Sequence, residues 1–265
     1  MLSLPNQPKI IKKGDNEAVF EIEALYPGYG TTIGNSLRRV LFSSLEGAAV
    51  THVKIKGVSH EFSTIPGVLE DVILLSLNLK QLRFKVFSDE PQKATLKVKG
   101  EREVRGSDFN LPSQVELVNK NVPIATLTKK TSELEMEVTI EKGIGYNSRD
   151  SREKEKLEVG MISLDAVFTP VRRVSYKIEN MRVGERTDYD RLFLEIKTDG
   201  TITPEQAFYK SAEILVNHFS LLVETFKPKA EPETGPIKKE KKQKVSKEKK
   251  TKKTKDEKKK KGKKI

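Results

Sequence analysis

Alternation of apolar and polar residues constrains this chain more than any other feature of its sequence. The cleanest example runs from Glu133 to Glu141, where every second residue is Leu, Met, Val or Ile and the residues between them are Glu or Thr. Because successive side chains of a strand point to opposite faces, this segment predicts a strand with one buried face. Similar alternation predicts strands over 18–25, 50–58, 82–86, 96–98, 174–178 and 192–196. Sheet therefore dominates the predicted fold.

In two segments between these strands, apolar residues recur at the spacing of a helix instead. In 29–44, apolar residues recur every three or four positions, and a threonine near the start can cap the helix. Arg38 and Arg39 lie about 100° apart on such a helix, so at least one of them points away from the apolar stripe, toward solvent or a partner. A second helix is predicted over 68–82, with Lys80 in its last turn, where a cation suits the helix dipole.

The last predicted helix is the most regular apolar segment of the chain. Thr203, Pro204 and Gln206 form a capping-box start. The seam that follows repeats at spacings of four and three and consists of Phe208, Ala212, Leu215, Phe219, Leu222 and Phe226. Ile214, Leu221 and Val223 add apolar positions outside it. A seam this regular suits packing against a partner helix, but packing on the chain's own sheet stays open as the alternative.

The basic charge of the chain is concentrated at its carboxyl end. The net charge is +12, from 50 Lys and Arg against 38 Asp and Glu, and 19 of the lysines fall within 227–265. The rest of the chain is therefore close to neutral. Ordering a residue costs about 1–2 kcal/mol of backbone entropy, and the few aliphatic residues of 227–265 cannot offset that cost. We predict a disordered tail that attracts polyanions.

The sequence offers little for catalysis. The absence of cysteine excludes disulfides and thiolate chemistry, and His52, His60 and His218 lack a second ligand at metal-binding spacing. Gly28-Tyr29-Gly30 lacks the third glycine of a dinucleotide fingerprint. We expect no catalytic residue, no cofactor and no metal. With no membrane-length apolar run and no signal sequence, we expect a cytoplasmic protein that does not enter membranes.

Five motifs together resemble the alpha subunits of bacterial-type RNA polymerase. They are 28–41 (GYGTTIGNSLRRVL), the HEFST, GVLED and LNLK blocks within 60–80, 170–176 (PVRRVSY), 186–190 (RTDYD) and 195–201 (EIKTDGT). The resemblance runs in order from about residue 16 to 226. Five separate motifs in the same order make a chance match very improbable.

The resemblance implies an α+β assembly domain in two parts. A dimerisation part comprises 1–46 and 170–226, a mostly β insert comprises 47–169, and the tail comprises 227–265. It implies a homodimer on which the large β and β′ catalytic subunits assemble, with omega and sigma as further partners in the holoenzyme. The chain itself would be a non-catalytic subunit of this nucleotidyltransferase, located in the cytoplasm at the nucleoid.

Family positions transfer to individual residues of this sequence. The residues matched to β and β′ binding are Arg38, Arg39, Phe42, Lys80, Leu164 and Arg191. The residues matched to the dimer interface are Ile33, Leu37, Leu41, Phe208, Leu215, Phe219, Leu222 and Phe226. An arginine suits a partner contact because its guanidinium can bind a carboxylate through two parallel hydrogen bonds.

The carboxyl end departs from the family pattern. Many members continue into a second folded domain that binds promoter DNA and activators, whereas here the lysine-rich tail follows. We therefore expect weak, non-specific attraction to DNA or RNA rather than promoter recognition. The alternative function is a basic RNA-binding protein whose folded part displays the tail.

Overall fold

The computed structural model describes residues 3–152, 158 and 160–227. The strands are β1 Lys9–Lys13, β2 Glu17–Leu25, β3 Glu46–Ile55, β4 Phe84–Val86, β5 Gln92–Lys99, β6 Arg102–Arg105, β7 Phe109–Asn110, β8 Val115–Leu117, β9 Pro123–Leu127, β10 Glu133–Ile144, β11 Tyr146–Asn147, β12 Met161–Ser163, β13 Ala166–Val167, β14 Val171–Val183 and β15 Arg186–Thr198. The helices are α1 Tyr29–Ser43, α2 Val72–Leu79, α3 Arg149–Arg152 and α4 Pro204–Thr225. This confirms the predicted α+β class.

The first sheet joins the two ends of the folded chain. Its order is β1-β2-β15-β14, and all neighbouring strands are antiparallel. Helix α1 packs on β14 and β15, and the first half of α4 packs against the same core. The buried residues of this core are Ala18, Phe20, Leu37, Leu41, Leu45, Val171, Val174, Leu194, Ile196 and Ala207. Residues about 170 positions apart in the chain therefore share one core.

The second sheet is built from the middle of the chain. Its order is β12-β3-β10-β5-β7, with the predicted strand Glu133–Glu141 at its centre as part of β10. The apolar residues of β10 are buried in a large core that also contains the buried face of α2. The glutamates on the other face of β10 pair with Lys56, directly after β3, and with lysines of β5. The alternation in the sequence thus corresponds to one dry and one charged face.

Gly47 lies where the chain passes from the first sheet to the second. A Cβ atom at this position would lie 1.8 Å from the carbonyl oxygen of Phe168, where the chain returns toward the first sheet. Only glycine allows the two crossing segments to approach this closely.

The structure adjusts the predicted boundaries of two helices and covers little of the tail. Helix α1 begins at Tyr29 rather than at a threonine cap, and α2 begins at Val72 rather than at Val68. Residues up to Leu222 form one compact unit, and the described residues 223–227 lie outside that unit. The predicted disordered tail, 227–265, lies outside the described residues except for Lys227.

Candidate protein interface

The second half of α4 exposes an apolar face. Phe208, Ala212 and Leu215 of the predicted seam are partly buried against the first core. Phe219 and Leu222 are 59% and 54% exposed, and the neighbouring Val216 is exposed as well. The first half of the seam therefore packs on the chain's own sheet, whereas the second half is uncovered and its packing against a partner helix stays a prediction. We call Val216, Phe219 and Leu222 the α4 surface.

Other predicted interface residues differ in their accessibility. Leu37 and Leu41 are fully buried in the first core, and Ile33 is partly buried against it. Leu37 and Leu41 are thus covered within their own protomer, and their place at the dimer interface stays a prediction. Phe226, outside the compact unit, is exposed.

The carboxyl end of α1 presents a cation beside an aromatic ring. Arg39, Phe42 and Ser43 are exposed and share one helix face, because their positions are separated by three and four residues. The hydroxyl of Ser43 donates to the carbonyl oxygen of Arg39 at 2.9 Å. Within the part of the chain that the structure describes, Arg39 has no ion-pair partner. We call these three residues the α1 surface.

Arg38 lies on a different side of the helix. It is half-buried, and its Nη2 donates to Oδ1 of Asn35 at 3.0 Å. One of the two neighbouring arginines is thus held against its own helix. The structure leaves Arg39 as the freer of the two cations.

Lys80 and Leu164 line one groove of about 290 Å³ beside α2. Lys80 Nζ lies 2.9 Å from Oδ2 of Asp165, whose Oδ1 accepts the backbone amide of Arg149 at 3.0 Å. These two contacts, the Arg149 amide first, hold the pKa of Asp165 below its usual value. Leu164 is almost fully buried, and its assignment to large-subunit binding stays a prediction. The groove is thus lined by a lysine that is ion-paired with Asp165 and by a buried leucine.

Arg191 lies on β15 among carboxylates of its own sheet. Its guanidinium is 3.5 Å from Glu21 and 3.3 Å from Glu23. Hydrogen bonding from Lys9 is the main cause of a lowered pKa at Glu23, to which Arg191 also contributes. The charge of Arg191 is therefore largely compensated within the protomer.

Sequence reasoning did not assign an apolar group around α2 to any surface. Its members are exposed and are Phe62, Leu69, Ile73, Leu74 and Leu77. The signal was present, because α2 reads VILLSLNL and a helix packed on one core buries only one side of such a sequence. In the structure Val72, Leu75, Ser76 and Leu79 form that buried side.

These arrangements suit contact with other proteins better than chemistry on a small molecule. Exposed aromatic and aliphatic side chains beside an arginine are the composition typical of the energetically important residues of protein interfaces. Among the described residues, no three carboxylate or imidazole groups lie close enough to hold a metal ion. No helix in the described ranges has the length and apolar character needed to cross a membrane.

Comparison with known proteins gives a consistent result. A family model described as "RNA polymerase Rpb3/RpoA insert domain" matches residues 53–169. Proteins named DNA-directed RNA polymerase subunit alpha match most of the chain. That of Roseiflexus sp. (strain RS-1) is 45% identical over 230 residues, which cover 86% of this chain and 71% of that protein. That of Syntrophomonas wolfei is 48% identical over 229 residues, covering 86% and 72%, and that of Porphyromonas gingivalis is 47% identical over 223 residues, covering 83% and 67%.

Proposed function

This chain belongs to the family of bacterial-type DNA-directed RNA polymerase alpha subunits, and we propose that it assembles that enzyme as a homodimeric scaffold. The scaffold brings together the large β and β′ subunits, which carry out DNA-templated RNA synthesis. The chain contributes contact surfaces rather than active-site residues. Omega and sigma join through the completed enzyme, in the cytoplasm at the nucleoid.

The α4 surface is the observation that carries this proposal. Removing a side chain of the size of Phe or Leu from water contributes about 1.5–3 kcal/mol of stabilisation. A helix that leaves several such side chains in water lacks that contribution for each of them. A second copy of the chain offers the same face, so that a two-fold contact buries both. We assign Phe219 and Leu222 to the dimer contact, with Phe208 and Leu215 at its inner edge and Ile33 next to it. Phe226 extends the contact toward the carboxyl end.

The α1 surface supports the contact with β. Arg39 is available to bind a partner carboxylate, and Phe42 offers an aromatic ring one turn away on the same face. Lys80 and Arg191 already have carboxylate partners, so they contribute to large-subunit binding with less of their charge available. Arg38 supports Arg39 from the side of the helix.

The domain division follows the two sheets. We assign 1–46 and 170–226 to a dimerisation part and 47–169 to an insert, because the first sheet with α1 and α4 has a core separate from that of the second sheet. The close approach of Gly47 and Phe168 supports a division at these two crossings. To the tail, 227–265, we assign non-specific attraction to nucleic acid through its lysines.

Co-purification tests the proposal. The tagged full-length chain is produced together with β and β′, and the masses and stoichiometry of what it retains are measured. We expect two copies of this chain with one β and one β′. Arg39→Ala should leave the dimer intact and lose β, whereas Arg173→Ala, which removes an exposed arginine paired with Glu195, should retain it. Retention of RNA alone, sensitive to nuclease, would contradict the scaffold function and favour a basic RNA-binding protein.

A further inference from the structure

Three apolar residues are exposed where β10 ends and the short β11–β13 pair begins. Ile144 is 58% exposed, Tyr146 is 65% exposed and Val167 is 40% exposed. Tyr146 and Val167 are direct partners in the β11–β13 register, so their side chains lie on the same face of that pair. We call these three residues the hairpin strip.

The hairpin strip is fixed against the end of α1. Gly145, between Ile144 and Tyr146, lies so close to this helix that a Cβ atom there would be 3.3 Å from the carbonyl oxygen of Ser43. Gly145 has a φ of +67°, which a side chain would strain, and its carbonyl oxygen accepts the amide of Phe168 at 2.9 Å. Since Phe168 is buried, this hydrogen bond ties the strip to the protein interior. Ser43 in turn belongs to the α1 surface.

We propose that the α1 surface and the hairpin strip form one continuous docking surface for a single segment of the β subunit. The segment would carry a carboxylate that binds Arg39 and apolar side chains that pack on Phe42 and Tyr146. This inference rests on the proposed function, because it extends the site assigned there to residues of the insert that no motif of the sequence indicates. The docking surface therefore includes residues from both parts of the chain.

Charge and composition favour this occupant. In the described part of the chain, Arg39 is a cation without a carboxylate partner, Phe42 shares its helix face, and the exposed Glu46 is the register partner of Ile144 at the edge of the surface. A partner that supplies one carboxylate among apolar groups complements this surface. A second copy of the chain is a poorer match. A two-fold contact through this patch would bring the patch of one copy against the same patch of the other, so that two Arg39 side chains of like charge would meet.

Substitution of the strip in the full-length chain tests the inference. Tyr146 and Val167 are both replaced by serine, and capture of purified β by the immobilised dimer is measured by titration. We expect the apparent affinity for β to fall about tenfold or more, with the dimer mass and the melting temperature unchanged. Phe87→Ser is the matched control, because Phe87 is an equally exposed aromatic residue of the same part of the chain, and it should leave β capture unaltered.

Hydrogen–deuterium exchange of the unaltered chain provides a second test, which does not require that a variant folds. Binding of β should slow exchange in residues 39–43 and in residues 144–147 together. Protection of 39–43 alone would overturn the continuous surface. Loss of the dimer in the serine variant would also overturn it, since the strip would then belong to the contact between copies.

The two proposals fail in distinguishable ways. If Arg39→Ala abolishes β capture while the serine variant retains it, the hairpin strip is not part of the site and the scaffold function stands. If the unaltered dimer does not capture β at all, the proposed function itself fails.

Discussion

Asp190 lies against Gly30, whose backbone amide donates to Oδ2 of the aspartate at 3.0 Å. The same oxygen accepts the amide of Gly28 at 2.9 Å. The first amides of a helix lack partners within the helix, and the helix dipole favours a negative charge at this end. Asp190, on β15, supplies that charge to α1. The sequence motifs 28–41 and 186–190 therefore meet at one point of the first sheet.

Replacing Asp190 with alanine should destabilise the protein. The buried amide of Gly30 and the partly buried amide of Gly28 would lose their acceptor, which costs about 1–3 kcal/mol of unfolding free energy. Guanidinium denaturation followed by circular dichroism measures the change. The control is Asp188→Ala, two residues earlier on the same strand, where the carboxylate is exposed and accepts hydrogen bonds from Arg186 of that strand. An equal loss in both variants would argue against this account of the helix start.

The buried pair of Arg83 and Asp199 makes a second prediction. Arg83 Nε lies 3.4 Å from Oδ2 of Asp199, and less than a tenth of either side chain is exposed. Burial is the main cause of a lowered pKa at Arg83, with the nearby Arg172 acting in the same direction. Asp199→Asn would leave a buried guanidinium without a carboxylate, so we expect a loss of about 3 kcal/mol of unfolding free energy.

Thermal and chemical denaturation of Asp199→Asn provide the measurement. Glu133→Gln, in the exposed lysine–glutamate ladder of the second sheet, is the control and should change the stability little. If Asp199→Asn behaves like this control, the pair does not stabilise the contact between the segment before β4 and the turn after β15.

Local chemistry was readable from the sequence where both partners lie within a few residues. The capping box at Thr203 and Gln206 is confirmed, with the Gln206 amide donating to the threonine hydroxyl at 3.3 Å and the Thr203 amide donating to the glutamine side chain at 3.2 Å. The start of α1 was predicted wrongly, because its capping carboxylate comes from a residue 160 positions later. Helix α2 starts late because the Leu69 amide bonds to the carbonyl oxygen of Thr126 on β9, which holds this residue outside the helix.

The interface residues also show that sequence patterns do not reveal packing between distant parts of the chain. Periodicity identified the apolar residues of α1 and α4 but not which of them the protomer covers itself. Leu41 is buried because α1 packs on β14 and β15, and Phe219 is exposed although it belongs to the same seam as the partly buried Leu215. Tyr146 was not assigned to any surface, because its position beside α1 depends on packing between the two sheets.

Acid should weaken the protein partly through Asp165. Its pKa is lower in the folded state, so its contribution to stability is present above the unfolded pKa and is lost as the pH falls through the folded value. The ordinary pKa of an aspartate carboxyl is 3.8, so the loss occurs below about pH 4. Melting temperatures of the native chain and of Asp165→Asn should differ near neutral pH, and the difference should shrink as the pH falls below about 4. A constant difference over this range would show that the charge of Asp165 is not responsible.

Removal of the tail should abolish the salt-dependent retention of nucleic acid. If about six phosphates are contacted, the affinity of the full chain falls ~10³-fold or more between low and moderate salt. A chain truncated after Phe226 should lose this binding and keep the dimer mass. Filter binding with a duplex of arbitrary sequence at two salt concentrations measures the effect. Unchanged retention after truncation would place nucleic-acid binding on the folded part.

Sedimentation at micromolar concentration tests the central claim most directly, since the scaffold requires that the α4 surface joins two copies. Phe219→Asp and Leu222→Asp should give folded monomers, because forcing a charge into a dry contact costs several kcal/mol. The control is Tyr209→Ser, at an exposed position earlier on α4, which should leave the dimer intact. We predict that the unaltered chain sediments at twice its mass of 30.0 kDa. A folded particle of 30.0 kDa at that concentration would contradict the scaffold.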